Sequence, residues 1–498
     1  MPETSILLDG TTLDVDAVWA CSQGARVVLD DTGLARMAKT NAHIQAAANT
    51  GKPVYGVTTG LGPNVTQKLD AATINSFSRT TILGRAQALG TPLPMHVVRS
   101  AMSIRINTLL TGASGAHPRI AQHLAACLNA GLIPKIREFG SVGAADLLWG
   151  GALAQAMIGE GQFLDRPKPE SAAVSIAASG IAPLELGPRD GLALVSHSSF
   201  SNALAALGLK SAQIALANAQ TIAALTIEGF RANLTPINAD VLALRPAPGE
   251  AECGDDLRAK LAGSKLFEPG HARRLQDPLS IRNIVQIHGA THAAIANLEA
   301  TLKGELNGAS DNPVVLEDTG EILSSGAYLN PNLTVGLVAL NHAFVHTASA
   351  ILARCMKMLF ERFTNLPNGL AGKNGGAAGF APVSKAAEVL LAEIQHQSNP
   401  PLIYPSVTAD GVEDVVTHSA IAGKSLNEIT NRLSYLLAFE ALLAVHAIRL
   451  RGDGDTIAPG LRPIFETIAA LSLPLEQDRS FTGEIENLAE KIRENARL

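Results

Sequence analysis

Four stretches constrain this chain more than anything else in it. Phe200–Phe230, Pro278–Leu306, Pro331–Phe363 and Val412–Leu450 carry Ala and larger apolar residues over enough length for helices of roughly six turns or more. Small residues on such helices allow close approach, so side-by-side packing as a bundle is expected. Aromatic content of 4% with abundant Ala and Leu points the same way. The predicted fold is mainly α. One chain does not cover every apolar face of such a bundle, so a symmetric oligomer is also expected.

The region before the bundle is shorter in rhythm. SILLDG and ARVVLD read as a β-like opening, followed by a helix over Thr32–Asn49. Helices are predicted near Ala71–Leu89, Met95–Leu110 and Pro118–Ala130, separated by Gly/Pro-rich links. Arg166–Asp190, rich in Pro, Ser and Ala, reads as a loop or short excursion. The expected division is 1–199, a smaller N-terminal region, and 200–498, the long-helix bundle.

At 498 residues, 47% hydrophobic and 17% charged, the chain has the composition of a globular protein with a large core. A net charge of -6 gives no reason to expect nucleic acid or an acidic membrane surface as partner. Cys21, Cys127, Cys253 and Cys355 form no CxxC pair, so neither zinc nor a disulfide framework is expected. The opening MPETSILLDG has no basic region or signal-length apolar run. Glu440 and His446 interrupt YLLAFEALLAVHAIRL, which argues against a membrane span. A cytoplasmic protein is expected.

Several short strings carry polar chemistry. YGVTTGLG sets Tyr55 beside a Gly/Thr-rich loop; a phenol acts as a base only where positive charge or hydrogen bonds stabilise its anion. In RLQDPLSIRNIVQIHGA, Arg282 lies about one turn into a helix, where it either grips a carboxylate or makes an internal ion pair. In ELNGASDNPVV, Asn307, Asp311 and Asn312 either line a pocket or cap a helix. In GVEDVV, Glu413 and Asp414 are placed near the positive end of the next helix. His288/His292 and His342/His346 are spaced i, i+4 but lack the glutamate of HExxH and a third ligand, so no metal is expected. RGDGD at Arg451 reads as a surface turn.

In this order the strings resemble the aromatic amino acid lyase family of histidine, phenylalanine and tyrosine ammonia-lyases and aminomutases. The resemblance rests on YGVTTGLG, RINTLLTGASG, FGSVGAADL, IGEG, GLALV, QDPLSIR, ELNGASDNP and VED, and runs over nearly the whole chain. It implies a helical bundle of the aspartase/ammonia-lyase type, an N-terminal base loop, and a homotetramer whose active sites collect residues from several subunits.

The resemblance fails at the electrophile and at the strings that support it. Family members cyclise Ala-Ser-Gly, within GSVGASGDLAPLAH, into a methylidene-imidazolone that bonds to the leaving amine. Here GSVGA runs into Ala145 and Asp146, and LLWGGALA follows. The Asn-Gly-Thr usual after GLALV is Ser196-His197-Ser198, and the tyrosine expected before Ser280 is Leu279. Ala113–Gly115 is an Ala-Ser-Gly in a different family string. The resemblance therefore implies loss of the electrophile and no cofactor.

A quaternary amine does not need that electrophile. It already bears a permanent positive charge, leaves as a neutral amine, and has no lone pair with which to attack. The chain thus resembles the ergothioneine trimethylammonia-lyase branch, which converts the betaine of 2-thiohistidine into thiourocanate and trimethylamine. By resemblance Tyr55 is the base, Arg282 the carboxylate clamp assisted by Asn312, and Glu413 a partner for the ring N–H. Lys385 faces the sulfur, pairs with Glu413, or is a surface lysine. Arg85 reads the ring or balances the phenolate, Tyr328 contacts the cationic head, and Ser196 stands in the altered substrate-side string. The same chemistry on hercynine or another betaine, a conventional ammonia-lyase, and a non-catalytic lyase-derived binding protein are the alternatives.

Overall fold

The computed structural model describes residues 5–50, 53–164, 171–372, 377–399 and 405–494. Helices dominate, and the strands among the described residues form three two-stranded pairings. Ser5–Leu8 pairs in parallel with Arg26–Leu29, as the β-like opening anticipates. Asp30 caps the next helix, Asp31–Asn49, by accepting from the Gly33 N–H at 2.9 Å. Helices Met95–Leu109 and Pro118–Asn129 follow the sequence reading closely. The helix from Ala71 stops at Arg85, short of Leu89, because Leu89–Pro92 pairs antiparallel with Arg137–Phe139.

Other departures have local causes. The stretch expected as a loop or short excursion from Arg166 to Asp190 contains the helix Ala172–Ala178, whose alanines suit a short helix better than a coil. Arg166–Glu170 and the opening Met1–Thr4 lie outside the described residues. The helix expected from Pro278 is split at Asn283 into one turn, Leu279–Arg282, and Ile284–Asn307. Pro331–Met358 ends before Phe363, and a separate turn, Glu361–Thr364, follows. The last long helix begins at Ser419, not near Val412. Before it, Ala409 (φ 52°) and Asp410 (φ 55°) make a tight left-handed turn, and the Glu413 N–H returns to the Thr408 carbonyl at 3.3 Å. Glu413 and Asp414 therefore belong to a loop and not to a helix start.

The chain divides into two compact units. One comprises Met1–Leu207, Glu299–Val335 and Pro401–Lys424; the other comprises Gly208–Leu298, Gly336–Pro400 and Ser425–Leu498. The breaks after Leu207, Leu298, Val335 and Lys424 fall inside long helices, where no change of composition marks them.

In the first unit, Asp311 is fully buried between Arg105, at 2.9 and 3.1 Å, and Arg189, at 3.6 Å. In the second, Arg354 and Glu440 are both fully buried and pair at 2.5 and 3.0 Å; Thr226 adds a hydroxyl donor at 2.9 Å. Three helical stretches, Asp190–Phe230, Pro331–Met358 and Ser419–Arg451, are long and apolar enough to cross a membrane by length and composition. Their most apolar windows are 100%, 56% and 83% buried within the protein, as core helices of a bundle would be. All four cysteines are free and buried. His288 is a core histidine: it bonds the Gln220 side chain at 2.7 Å, and burial holds its pKa down at about 3. In RGDGD, Asp453 takes both Arg231 nitrogens at 2.8–3.0 Å.

Candidate active site

Tyr55, Arg85, Ser196, Asn312, Tyr328 and Glu413 line one cavity of about 320 Å³ in the first unit. Arg282 and Lys385 are not among its lining residues and belong to the second unit. Arg282 ends a single helical turn and donates to the Gln276 side chain; Lys385 is exposed on the helix Val383–Ser398.

Backbone geometry builds the base loop. The Val54 carbonyl accepts from the N–H groups of Val57, Thr58 and Thr59, and the Thr58 hydroxyl accepts from the Val54 N–H at 2.8 Å. This tight turn needs Gly56 at φ 65°, where a Cβ would come within 2.5 Å of Leu192. The chain then curls back, and the Gly62 N–H donates to the Tyr55 oxygen at 3.0 Å. The phenol thus lies against its own glycine-rich loop, its oxygen already accepting one bond.

Arg85 is the single basic residue in the cavity lining among the described residues. Burial lowers its pKa, while the charges of Tyr55 and Glu413 act to raise it. The guanidinium is therefore electrostatically linked to both groups. Glu413 is half-buried and accepts from the Thr408 hydroxyl at 3.2 Å; Asp414 lines the cavity beside it.

The polar string before Val314 separates into distinct jobs. Asn307 is structural, exchanging bonds of 2.8 Å with the backbone of Leu13. Asp311 is the buried anion between two arginines. Asn312 alone lines the cavity, with its side-chain oxygen accepting from the Ser325 N–H at 3.0 Å.

The altered segment forms the remaining wall. Ala144 and Ala145 line the cavity with Leu61, Leu147, Leu192 and Leu329. Ala145 has φ 56°, a left-handed conformation that costs an alanine about 1 kcal/mol. It is held there because its N–H donates to the Tyr328 carbonyl at 3.0 Å. The next residue, Asp146, is buried, and its carboxylate takes four donors: the hydroxyls of Ser141 and Ser201, each at 2.6 Å, and the N–H groups of Phe200 and Ser201 at 2.9 and 2.8 Å. Burial raises its pKa, and those bonds oppose the rise.

These residues do not fit the methylidene-imidazolone. The serine and glycine that cyclise are replaced by one alanine, and the carboxylate that follows is fully engaged by Ser141 and the first turn of the long helix Ser199–Phe230. The other Ala-Ser-Gly, Ala113–Gly115, is outside the cavity lining, with its carbonyls taken by Val315 and Arg189. His197, also in an altered string, is fully buried; burial, reinforced by nearby Arg105, keeps its pKa far below the usual value. Reading the sequence did not identify the alanine wall, the clasp at Asp146 or Arg189. Only the retention of Asp146 inside a degenerate segment hinted at any of them.

Comparison with known proteins adds four likenesses. The aromatic amino acid lyase profile matches residues 13–470. Histidine ammonia-lyase of Anaeromyxobacter dehalogenans is 31% identical, covering 99% of this chain and 99% of that protein. Among solved structures, ergothionase from Treponema denticola, in complex with desmethyl-ergothioneine sulfonic acid, matches with a TM-score of 0.92 at 26% identity over 98% of both chains. Histidine ammonia-lyase from Trypanosoma cruzi matches with a TM-score of 0.90 at 26% identity, covering 98% of this chain and 93% of that one.

Proposed function

The chain belongs to the aromatic amino acid lyase family and is a carbon–nitrogen lyase, and within that family we propose that it eliminates trimethylamine from ergothioneine to give thiourocanate. The observation that carries this reading is the wall of Ala144 and Ala145. A primary ammonium needs hydrogen-bond acceptors when it leaves water, and methyl groups offer none. A trimethylammonium has no N–H to satisfy. It suits an apolar wall with Tyr328 at its edge, where an aromatic face attracts a cation.

The reaction balances without a covalent intermediate. The Tyr55 oxygen takes a proton from the β-carbon. The C–H electron pair becomes the second bond between the α- and β-carbons. The α-carbon–nitrogen bond breaks, and its pair leaves on nitrogen as neutral trimethylamine. Fixed groups then do the rest by orientation. Glu413 accepts from a ring N–H, Asn312 donates to the carboxylate, and Arg85 balances negative charge on the Tyr55 oxygen or reads the thione. Arg282 and Lys385 are outside the lining of their own subunit's cavity. In a homotetramer neighbouring copies supply them, Arg282 to the carboxylate and Lys385 to the sulfur.

The names of the sequence relatives favour a second reading, histidine as substrate. It requires activation of a poor leaving group, for which the alanine wall has no residue. The test is incubation of purified protein with ergothioneine, hercynine and histidine, with mass-spectrometric detection of amine and unsaturated acid. Trimethylamine with thiourocanate supports the proposal. Turnover of hercynine alone would move the substrate to the sulfur-free betaine, and ammonia from histidine would sink the proposal.

A further inference from the structure

Arg189 is almost fully buried, at 2% exposure, and does not line the cavity. It adopts φ 78°, a conformation that costs a non-glycine residue of order 1 kcal/mol and persists where surrounding contacts enforce it. Those contacts are specific. Its Nε donates to the Ser114 carbonyl at 2.9 Å, one terminal nitrogen to the Asn312 carbonyl at 3.0 Å, and the other to the Pro313 carbonyl at 2.8 Å. Asp311 stands 3.6 Å from the same guanidinium. The fork therefore holds two successive carbonyls of the loop that carries Asn312 and ties them to the Ser114 turn. Arg189 also directly precedes the short helix Asp190–Val195, after which comes Ser196, another lining residue of the cavity.

We propose that Arg189 is a positioning residue that sets Asn312 in the cavity by holding the Asn312 and Pro313 carbonyls in one planar fork. A charge alone would not do this. Asp311 already has a bidentate partner in Arg105, whereas each of the two carbonyls takes a separate Arg189 nitrogen. Lysine at the same place keeps the charge but loses the fixed two-point geometry.

The test uses full-length Arg189→Lys, Asn312→Ala and the double variant. The catalytic part rests on the proposed reaction and is run with ergothioneine. Arg189→Lys is expected to lower kcat/KM roughly ten- to hundredfold in the wild-type background, as misplacement of an orienting group does. In the Asn312→Ala background it is expected to cost less than about twofold, because the group it positions is gone. An equal loss in both backgrounds would overturn the proposal. The second part does not depend on any substrate. Amide hydrogen exchange of Arg189→Lys should show protection lost selectively at Asp311–Ser325, with the global unfolding midpoint changed little. Unchanged protection there, or a uniform loss across the chain, would overturn it even if ergothioneine proves not to be the substrate. Should Arg189→Lys fail to fold, Arg189→Gln, which retains one donor group, is read by the same exchange pattern.

Discussion

Asp146 and Ser201 are joined twice: the Asp146 carboxylate accepts the Ser201 N–H at 2.8 Å and the Ser201 hydroxyl at 2.6 Å. This contact fastens the altered segment to the first turn of the long helix Ser199–Phe230, where the Phe200 and Ser201 N–H groups have no carbonyl of a preceding turn to bond. It also fixes the chain just after Ala145, so the cavity wall and the helix end are held by one side chain.

Replacing Asp146 with Ala strands four donors at once, three of them buried. The expected cost is about 3 kcal/mol, measured as a fall in the urea midpoint at unchanged m. A loss below about 1 kcal/mol would show that the clasp is dispensable.

Glu440→Gln leaves the buried Arg354 guanidinium without its counter-charge, and about 3–5 kcal/mol should be lost. The paired change Arg354→Met with Glu440→Leu should cost less than half of that, since no charge is left behind. If the double variant is the worse of the two, the pair stabilises through its attraction more than desolvation opposes it.

His446 accounts for part of the acid sensitivity. Burial is the main cause of its pKa standing at about 3, well below the ordinary 6.5, and its Nε2 faces the Ser472 hydroxyl at 3.0 Å. The unfolded chain takes up the proton near 6.5, and the folded chain only near 3. Stability from the neutral ring is thus fully present above about pH 6.5 and declines as pH falls toward 3. Asp190 acts in the opposite sense, because burial raises its pKa to about 6 and its contribution is lost as pH rises through that value. His446→Gln removes one titrating site. Between pH 4 and 6 the slope of unfolding free energy against pH should fall by about 1.4 kcal/mol per unit relative to wild type. Identical slopes would mean that the ring is protonated in the fold.

Tyr55→Phe tests the base. The hydroxyl accepts one backbone N–H, so its removal should cost under about 1 kcal/mol of stability. Amine release should fall by roughly two to four orders of magnitude. Retained turnover in a folded Tyr55→Phe protein would assign the proton transfer to another group.

The sequence reading and the structure agree most where the signal is local and long. Ala-rich runs specify helices whatever surrounds them, and Ser199–Phe230 and Pro331–Met358 start where that periodicity starts. The start of the final helix was misread because Val412–Val416 is apolar enough to continue it, and nothing in the composition reveals the left-handed turn at Ala409 and Asp410. The family motifs anticipated that Tyr55, Asn312, Tyr328 and Glu413 would be near one another, and these four residues do share a cavity. Motifs do not show what lies between them. The Arg189 fork is made of backbone carbonyls, which have no sequence signature. The alanine wall is visible only once the chain is folded, since a methyl group acquires meaning from the cavity it faces.

The most direct measurement of the central claim is the rate of amine release from ergothioneine, from its N-desmethyl analogue and from histidine under identical conditions. If a permanently charged leaving group replaces the missing electrophile, ergothioneine should react at least about a hundredfold faster than either of the others, a barrier difference of about 2.7 kcal/mol. Release of ammonia from histidine at a comparable rate would contradict the account, because it would require activation of the amine at a wall made of Ala144 and Ala145.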